Sequence, residues 1–100
     1  MRNLEFAWDP AKARANRRKH GVGFSEAATV FADDAGHLLP DPDHSRREDR
    51  FVLLGRSAPG HLLVVVHTYP QGDSVIRIIS ARRATAAERR RYETGWKDAR

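Results

Sequence analysis

Three groups of polar side chains in this 100-residue sequence have the types and spacing needed for acid–base chemistry on a phosphate. In the first, Lys12, Asn16 and His20 recur every four residues, which places them on one stripe of a helix. Histidine exchanges protons readily near neutral pH, so a phosphate-contacting face with an imidazole at its end is one interpretation. The other is a solvated basic face, and the pattern alone does not decide between them.

The second group lies at residues 41–50 and combines carboxylates, a histidine and arginines. Glu48 could be a general base, with Arg50 nearby to bind phosphate, because a carboxylate among arginines stays ionised. A local interpretation pairs Ser45 with Glu48 as a helix-capping box. A third is a divalent metal site, but four such residues often share a loop by chance, so we expect no metal. That site would use Asp41, Asp43, His44 and Glu48.

The third group runs from Arg77 to Arg83. In a strand Arg77 shares a face with Val75 and Ile79, and an arginine among apolar neighbours needs a partner or a ligand. Arg82 and Arg83 come just before a predicted helix N-terminus, where anions bind favourably. These guanidinium groups could stabilise charge on a phosphoryl group. Alternatively, Arg77 pairs with a structural carboxylate and the other two are surface charges.

Arginine dominates the basic residues, with 15 arginines against 3 lysines and a net charge of +5. The charge is segregated into +5 over residues 10–20, −4 over 33–49 and +5 over 77–91. A polyanion is therefore the first partner to consider. The absence of cysteine excludes disulfides, thiolate zinc sites and cysteine nucleophiles. Besides the candidate catalytic residues, the residues expected to contact such a polyanion are Arg14, Asn16, Lys19, Arg83 and Tyr92.

Hydrophobic patterning and turn signals predict an α+β domain with the order β-α-α-β-β-β-β-α. Its mainly antiparallel sheet carries helices packed on it, and residues 95–100 form a loose tail of the single domain 1–100. No apolar run approaches the ~20 residues of a membrane span, and no signal peptide is recognisable, so we expect a soluble, cytoplasmic protein. The predicted elements are strands at 4–8, 37–39, 51–56, 62–69 and 75–80, helices at 10–20, from 24 and from 85, and turns at 58–60 and 70–73.

These groups carry a resemblance to a known family. The run FAWDPAKARANRRKHGVGFSEA from Phe6 to Ala27 resembles the opening signature of the BrnT toxin family. Asp43-His44-Ser45, followed by Glu48 and Arg50, resembles its central motif. The third motif is resembled by Arg77-Ile-Ile-Ser80-Ala81-Arg82-Arg83-Ala84, then Glu88-Arg89 and Tyr92. The three ordered motifs extend the resemblance from Leu4 to about Tyr92.

The resemblance implies a ribonuclease toxin of a bacterial type II toxin–antitoxin system, with a fold similar to that of RelE. It also implies a cognate BrnA antitoxin with a ribbon-helix-helix DNA-binding part, through which alone the complex contacts operator DNA. The family's motif positions fall on Lys12, Asn16, Lys19, His20, His44, Glu48, Arg50, Arg77, Arg82 and Tyr92.

The mechanism that we expect is cofactor-free, metal-independent attack of a ribose 2′-OH on the adjacent phosphate. Glu48 or His20 is the expected base, with the other, or Lys12, as the acid. The arginines expected on the phosphate are Arg50, Arg77 and Arg82. Two alternatives stay open: a non-catalytic basic module that binds nucleic acid or protein, and a metal nuclease using the 41–48 carboxylates and His44.

Overall fold

The computed structural model describes residues 4–40 and 50–95. His44 and Glu48, the alternative metal site, and the expected tail beyond residue 95 lie outside the described residues. The α+β class is confirmed. The elements are β1 (Glu5–Ala7), α1 (Pro10–His20), α2 (Phe24–Thr29) with a 3-10 turn (Val30–Ala32), β2 (His37–Pro40), β3 (Phe51–Arg56), β4 (Leu62–Thr68), β5 (Pro70–Asp73), β6 (Val75–Arg83) and α3 (Ala86–Thr94).

Five of these strands form one sheet in the order β1-β6-β4-β3-β2. Three neighbouring pairs are antiparallel, but β1 runs parallel to β6 at the edge. The sheet is therefore mixed, and the prediction of a mainly antiparallel sheet is wrong. Turn signals between successive strands specify antiparallel hairpins, whereas β1 and β6 are joined by nearly the whole chain and no local signal reports their direction.

Residues 70–73 also differ from the prediction. They form the short strand β5, which lies against β6, rather than a simple turn. Gly72 adopts a φ of 68°, the left-handed conformation that its lack of a Cβ permits. The proline and glycine signals therefore correctly predict that the chain reverses between β4 and β6, but the residues at the reversal form a short strand instead of a simple turn.

The register of the sheet defines two faces. Val65 pairs with Ala81 on the face covered by α1 and α2, which we call the α1/α2 face. Val64 pairs with Arg82 on the opposite face, which we call the α3 face. Because each strand alternates its side chains, every paired position can be assigned to one face.

A β-bulge interrupts this alternation in β6. Val66 pairs with Ser80, but His67 pairs with Ile78, so Ile79 is the extra residue on the β6 side. Ile78 consequently points into the core and is fully buried, whereas Arg77 lies on the α3 face and is exposed. Without the extra residue, Arg77 would occupy the core face.

The main core lies between the α1/α2 face and the two helices, and Asn16 fastens α1 to it. The Asn16 side chain is only 6% exposed. Its Nδ2 donates to the carbonyls of Val22 (3.0 Å) and Ala81 (2.9 Å), and its Oδ1 accepts from the N–H of Ala81 (3.0 Å). A buried amide with every one of these contacts made is a strong anchor, because a lost partner would leave polar groups unpaired.

Both long helices begin and end where the sequence predicts. The Asp9 side chain caps α1 by accepting from the N–H of Ala11 (3.2 Å), and Gly21 ends it with a φ of 71°. In α3 the capping box is complete: Thr85 Oγ1 accepts from the N–H of Glu88, whose carboxylate accepts from the N–H of Thr85.

Candidate active site

A cleft of about 530 Å³ opens where β1 ends and α1 begins. β1 stops at Ala7, opposite Arg77, while β6 continues to Arg83, so no β1 residue covers the edge of β6 beyond Arg77. The cleft occupies that open edge. Its lining consists of Ala7, Trp8, Asp9, Lys12, Arg50, Arg77, Ile78 and Ile79. Three residues predicted as catalytic, Lys12, Arg50 and Arg77, thus come from distant parts of the sequence to one cavity.

The junction between β1 and α1 positions Lys12. Asp9 caps the helix and Pro10 fills its first position, where the fixed φ of proline suits a helix start. Lys12 therefore lies in the first turn of α1, exposed, beside the amides at the positive end of the helix. The ammonium group and the helix end both favour an anion here.

The sheet register positions the two arginines. Ala7, Arg77 and Thr68 lie side by side on β1, β6 and β4. The β3–β4 register ends with Phe51 opposite His67, so Arg50, the residue before Phe51, lies beside the end of β4 that carries Thr68. Arg50 and Arg77 thus flank Thr68 on the α3 face, at one end of the sheet. Two guanidinium groups that flank one strand can bind a phosphate from both sides.

His20 lies at the other end of α1. Eight residues separate it from Lys12, which corresponds to about 12 Å along the helix axis. It is partly exposed and does not line the cleft. The helical stripe that the sequence predicts exists, but its middle member, Asn16, is buried, so the stripe does not present three side chains to one ligand.

Arg82 forms an ion pair with Glu88. Its Nη1 and Nη2 donate to the two carboxylate oxygens of Glu88 at 2.8 and 2.9 Å. The hydrogen bond from Arg82 is the main reason that the pKa of Glu88 falls to about 2. Arg82 shares the α3 face with Arg77, but their partners on β4, Val64 and Thr68, are four residues apart, which corresponds to about 13 Å by strand rise. It does not line the cleft.

Comparison with known protein families shows to which family the chain is related. The family model described as "Ribonuclease toxin, BrnT, of type II toxin-antitoxin system" matches residues 8–88. The chain belongs to the BrnT family. The resemblance predicted from the three motifs is thereby confirmed, and the matched range contains every residue predicted as catalytic. No curated protein matches the chain.

A solved structure of the same family shares the fold. The 1.1 Å crystal structure of the Brucella abortus ribonuclease toxin BrnT superposes with a TM-score of 0.64 and 22% sequence identity. The match covers 83% of this chain and 99% of that one. At this identity the likeness establishes the fold of the BrnT family here and leaves the roles of individual residues to be argued from this chain.

The residues predicted to contact RNA are distributed over several surfaces of this BrnT-family fold. Arg14 lines a second cleft of about 470 Å³ together with Arg17 and Glu26. Lys19 is exposed near the end of α1, and Arg83 is exposed on β6. Asn16 is not available for an RNA contact, because its amide is buried and bonded to backbone. Helical spacing alone could not distinguish this internal position from its exposed neighbours.

Tyr92 follows the residues that the BrnT family model matches. Its side chain is held by contacts on the α3 face of the sheet. Its hydroxyl donates to Asp33 Oδ2 at 2.7 Å, and the Arg56 guanidinium lies 5.3 Å from its ring centre. Burial is the main cause that raises the pKa of Tyr92, followed by the bond to Asp33. Burial alone would raise the pKa of Asp33, but hydrogen bonds from Arg56, Tyr92 and Ala35 outweigh it and lower the pKa. Tyr92 therefore anchors α3.

Two polar features were not singled out from the sequence. Glu26 Oε2 accepts from Ser57 Oγ and contacts His61 Nδ1, both at 2.7 Å, and the bond from Ser57 is the main cause that lowers the pKa of Glu26. More than thirty positions separate Glu26 from each partner, so no local spacing reveals this cluster. The second feature is Thr68, a buried hydroxyl between two cleft arginines, whose place only the register reveals.

The described part of the chain contains neither a cluster of metal-ligating side chains nor a helix that could span a membrane. Within residues 4–40 and 50–95 no three histidine, aspartate or glutamate side chains come together as a metal site would require. The residues of the alternative metal site lie outside that part. No helix within these ranges has the length and apolar character needed to cross a membrane.

Proposed function

We propose that this chain is an endoribonuclease toxin that cleaves RNA in the cleft between β1, α1 and β6 and so inhibits translation. The convergence of Lys12, Arg50 and Arg77 on one cavity supports this most directly. Membership of a ribonuclease toxin family gives the reaction class. The proposal takes residues 1–100 as one toxin domain with a RelE-like fold that acts in the cytoplasm.

The proposed chemistry is metal-independent. A base removes the proton of the ribose 2′-OH, whose oxygen attacks the adjacent phosphorus. The bond to the 5′-oxygen breaks, an acid protonates that oxygen, and a 2′,3′-cyclic phosphate remains. Each proton-transfer group contributes about 10²–10⁴-fold. Arg50 and Arg77 stabilise the negative charge that builds on the phosphate oxygens, and Lys12 is placed to protonate the leaving group.

Glu48 is the better of the two base candidates. It precedes Arg50, a lining residue of the cleft, by only two residues in the sequence. His20, by contrast, lies about 12 Å from Lys12 along α1. A base and an acid that serve one phosphate must both reach it, which favours Glu48 over His20.

The protein partner that we propose is a BrnA-like antitoxin with a ribbon-helix-helix part, through which alone operator DNA is contacted. A net charge of +5 and the basic α1 support a negatively charged toxin-binding segment on that antitoxin. Association should then be faster at low salt. An on-rate unchanged between about 50 and 500 mM salt would contradict the electrostatic part of this proposal.

The decisive experiment measures cleavage of a defined RNA by the purified chain. Full activity in excess EDTA and no cleavage of RNA with a single 2′-deoxy at the scissile position are expected. Loss of activity in EDTA would instead support a metal nuclease, and cleavage of the deoxy RNA would rule out 2′-OH attack.

Variants then separate catalysis from binding. Glu48→Ala should lower cleavage by about 10² or more without weakening RNA binding, whereas His20→Ala should lower it less than about 10-fold. Arg18→Ala, an exposed arginine of α1 outside the cleft, controls for a lost positive charge. If the wild-type chain binds RNA but leaves it intact under all conditions, the non-catalytic binding module is the better interpretation.

A further inference from the structure

Thr68 is an anomaly in an otherwise well-bonded sheet. It is the last residue of β4 and only 2% exposed. Its Oγ1 is buried without a hydrogen-bond partner in the structure described here. Buried hydroxyls normally have a partner, and one without a partner often marks a place that a ligand or a water occupies.

The position of Thr68 connects this hydroxyl to the cleft. Arg77 lies directly opposite on β6, and Arg50 immediately precedes Phe51, whose partner on β4 is the neighbouring His67. Both arginines line the cleft. Thr68 is not itself a lining residue, and its buried hydroxyl lies beneath the cleft, next to the two arginines that line it.

The bulge at Ile79 creates this arrangement. It turns Arg77 away from the core and brings it opposite Thr68 instead of Tyr69. Bulges next to active sites commonly redirect a side chain in this way. Two independent features, a shifted register and an unsatisfied buried hydroxyl, thus coincide at one point of the sheet.

We propose that the Thr68 hydroxyl is the third donor of an anion subsite whose other members are Arg50 and Arg77. It donates a hydrogen bond to a non-bridging oxygen of the scissile phosphate. The two arginines supply charge from the sides, and the hydroxyl supplies a short, fixed donor from below. This subsite deepens the proposed ribonuclease function, and its identity as the scissile-phosphate site depends on that function.

The hydroxyl suits this task better than a longer side chain would. Threonine has one side-chain torsion, and its β-branch restricts that torsion further. Because Oγ1 is buried, the side chains that cover it must move aside to admit a phosphate oxygen, but the hydroxyl itself then needs little reorientation as charge develops on the phosphate. Its contribution should therefore be larger in the transition state than in the ground state.

Thr68→Val tests the proposal, because it removes the hydroxyl while nearly keeping the shape. We expect kcat on a cleavable RNA to fall about 10-fold or more, with a smaller change in KM. Affinity for inorganic phosphate, followed by NMR titration, should fall by a factor of at least about 3. Thr68→Ser, which keeps the hydroxyl, should restore most of both. Unchanged kcat and phosphate affinity in Thr68→Val would overturn the subsite.

Thermal unfolding distinguishes a hydroxyl that binds a ligand from one that stabilises the fold. Without phosphate, Thr68→Val should melt at or above the wild-type temperature, because an unsatisfied hydroxyl is replaced by a methyl group. Thr29→Val is the matched control: Thr29 Oγ1 donates to the Glu26 carbonyl (2.7 Å) and accepts from the N–H of Ala58 (2.9 Å). That variant should melt several degrees lower. A similar drop in Thr68→Val would mean that its hydroxyl supports the fold and would overturn the proposal.

The two proposals fail in different ways. If the wild-type chain does not cleave RNA but Thr68→Val still loses phosphate affinity, the ribonuclease function fails and the anion subsite stands. If the wild type cleaves RNA and Thr68→Val cleaves equally well, the function stands and the subsite fails. A buried hydroxyl that binds only a water predicts the second result.

Discussion

Arg82 and Glu88 are joined by two parallel hydrogen bonds of 2.8 and 2.9 Å between the end of β6 and the first turn of α3. The same carboxylate accepts from the N–H of Thr85 at 2.8 Å. One acidic residue therefore closes the capping box of α3 and fixes that helix to the sheet. An arginine that the sequence predicts on a phosphate is used to attach α3.

Glu88→Gln should lower the free energy of unfolding by about 1 kcal/mol at pH 7, a modest value because both partners are partly exposed. The pKa of Glu88 is lowered from 4.5 to about 2, so the stabilisation is complete above pH 4.5 and is lost as pH falls towards 2. Urea unfolding of both proteins between pH 2 and 7 measures the difference. Glu93→Gln, exposed on the same helix, is the control. A difference that persists undiminished at pH 2 would contradict this account.

Asn16→Ala should destabilise the protein by about 2–4 kcal/mol, because it leaves buried backbone groups of Val22 and Ala81 without their partner. The measurement is the urea midpoint, with the slope checked for a change in the folded state. Arg18→Ala on the same helix should change stability by less than about 0.5 kcal/mol. If Asn16→Ala were as stable as wild type but bound RNA weakly, Asn16 would return to the set of RNA contacts.

Arg77→Ala should lower RNA cleavage by about 10²–10³-fold. Stability should be nearly unchanged, because the Arg77 side chain is exposed in the cleft and the neighbouring Ile78, not Arg77, packs in the core. Arg77→Lys should recover only part of the loss, because an ammonium group cannot make the two parallel bonds of a guanidinium. Initial rates on a defined RNA test this. A loss no larger than that of Arg18→Ala would mean that Arg77 contributes only general charge.

Tyr92→Phe should lower the free energy of unfolding by about 1 kcal/mol, because it removes the 2.7 Å bond from the phenol to Asp33. It should also move the pKa of Asp33 back towards its usual value, since the Tyr92 hydroxyl is one of the bonds that lower it. Thermal unfolding and an NMR titration of Asp33 measure the two effects. RNA affinity that falls while stability is unchanged would instead support the prediction that Tyr92 contacts RNA.

The predictions that succeeded depend on local signals. Asp9, Pro10 and Gly21 mark the two ends of α1, and Thr85 with Glu88 marks the start of α3, because capping uses residues only a few positions apart. Strands β3 and β4 likewise follow from short apolar runs bounded by turns. Recognition of the family succeeded for a different reason, since three ordered motifs together are far more specific than one.

The features that local patterns did not reveal depend on contacts that form only in the folded chain. The parallel pairing of β1 with β6 has no turn that could indicate its direction. Asn16 and Lys12 belong to one helical stripe, yet only packing against Ala81 shows that the first is internal. Arg82 is bonded to Glu88, which lies six residues later in α3. Arg77 and Arg82 are close in the sequence, but in the structure Arg82 is paired with this carboxylate and Arg77 lines the cleft.

The bulge at Ile79 couples the aim of Arg77 to the packing of its neighbour. In β6 one residue of the pair Arg77–Ile78 must face the core, so turning the arginine inward would also turn the isoleucine outward. Exposing a buried isoleucine costs about 2–3 kcal/mol, and burying a guanidinium among apolar residues costs more. The hydrophobic free energy of the buried isoleucine thus enforces the orientation of a charged group on the opposite face of the sheet.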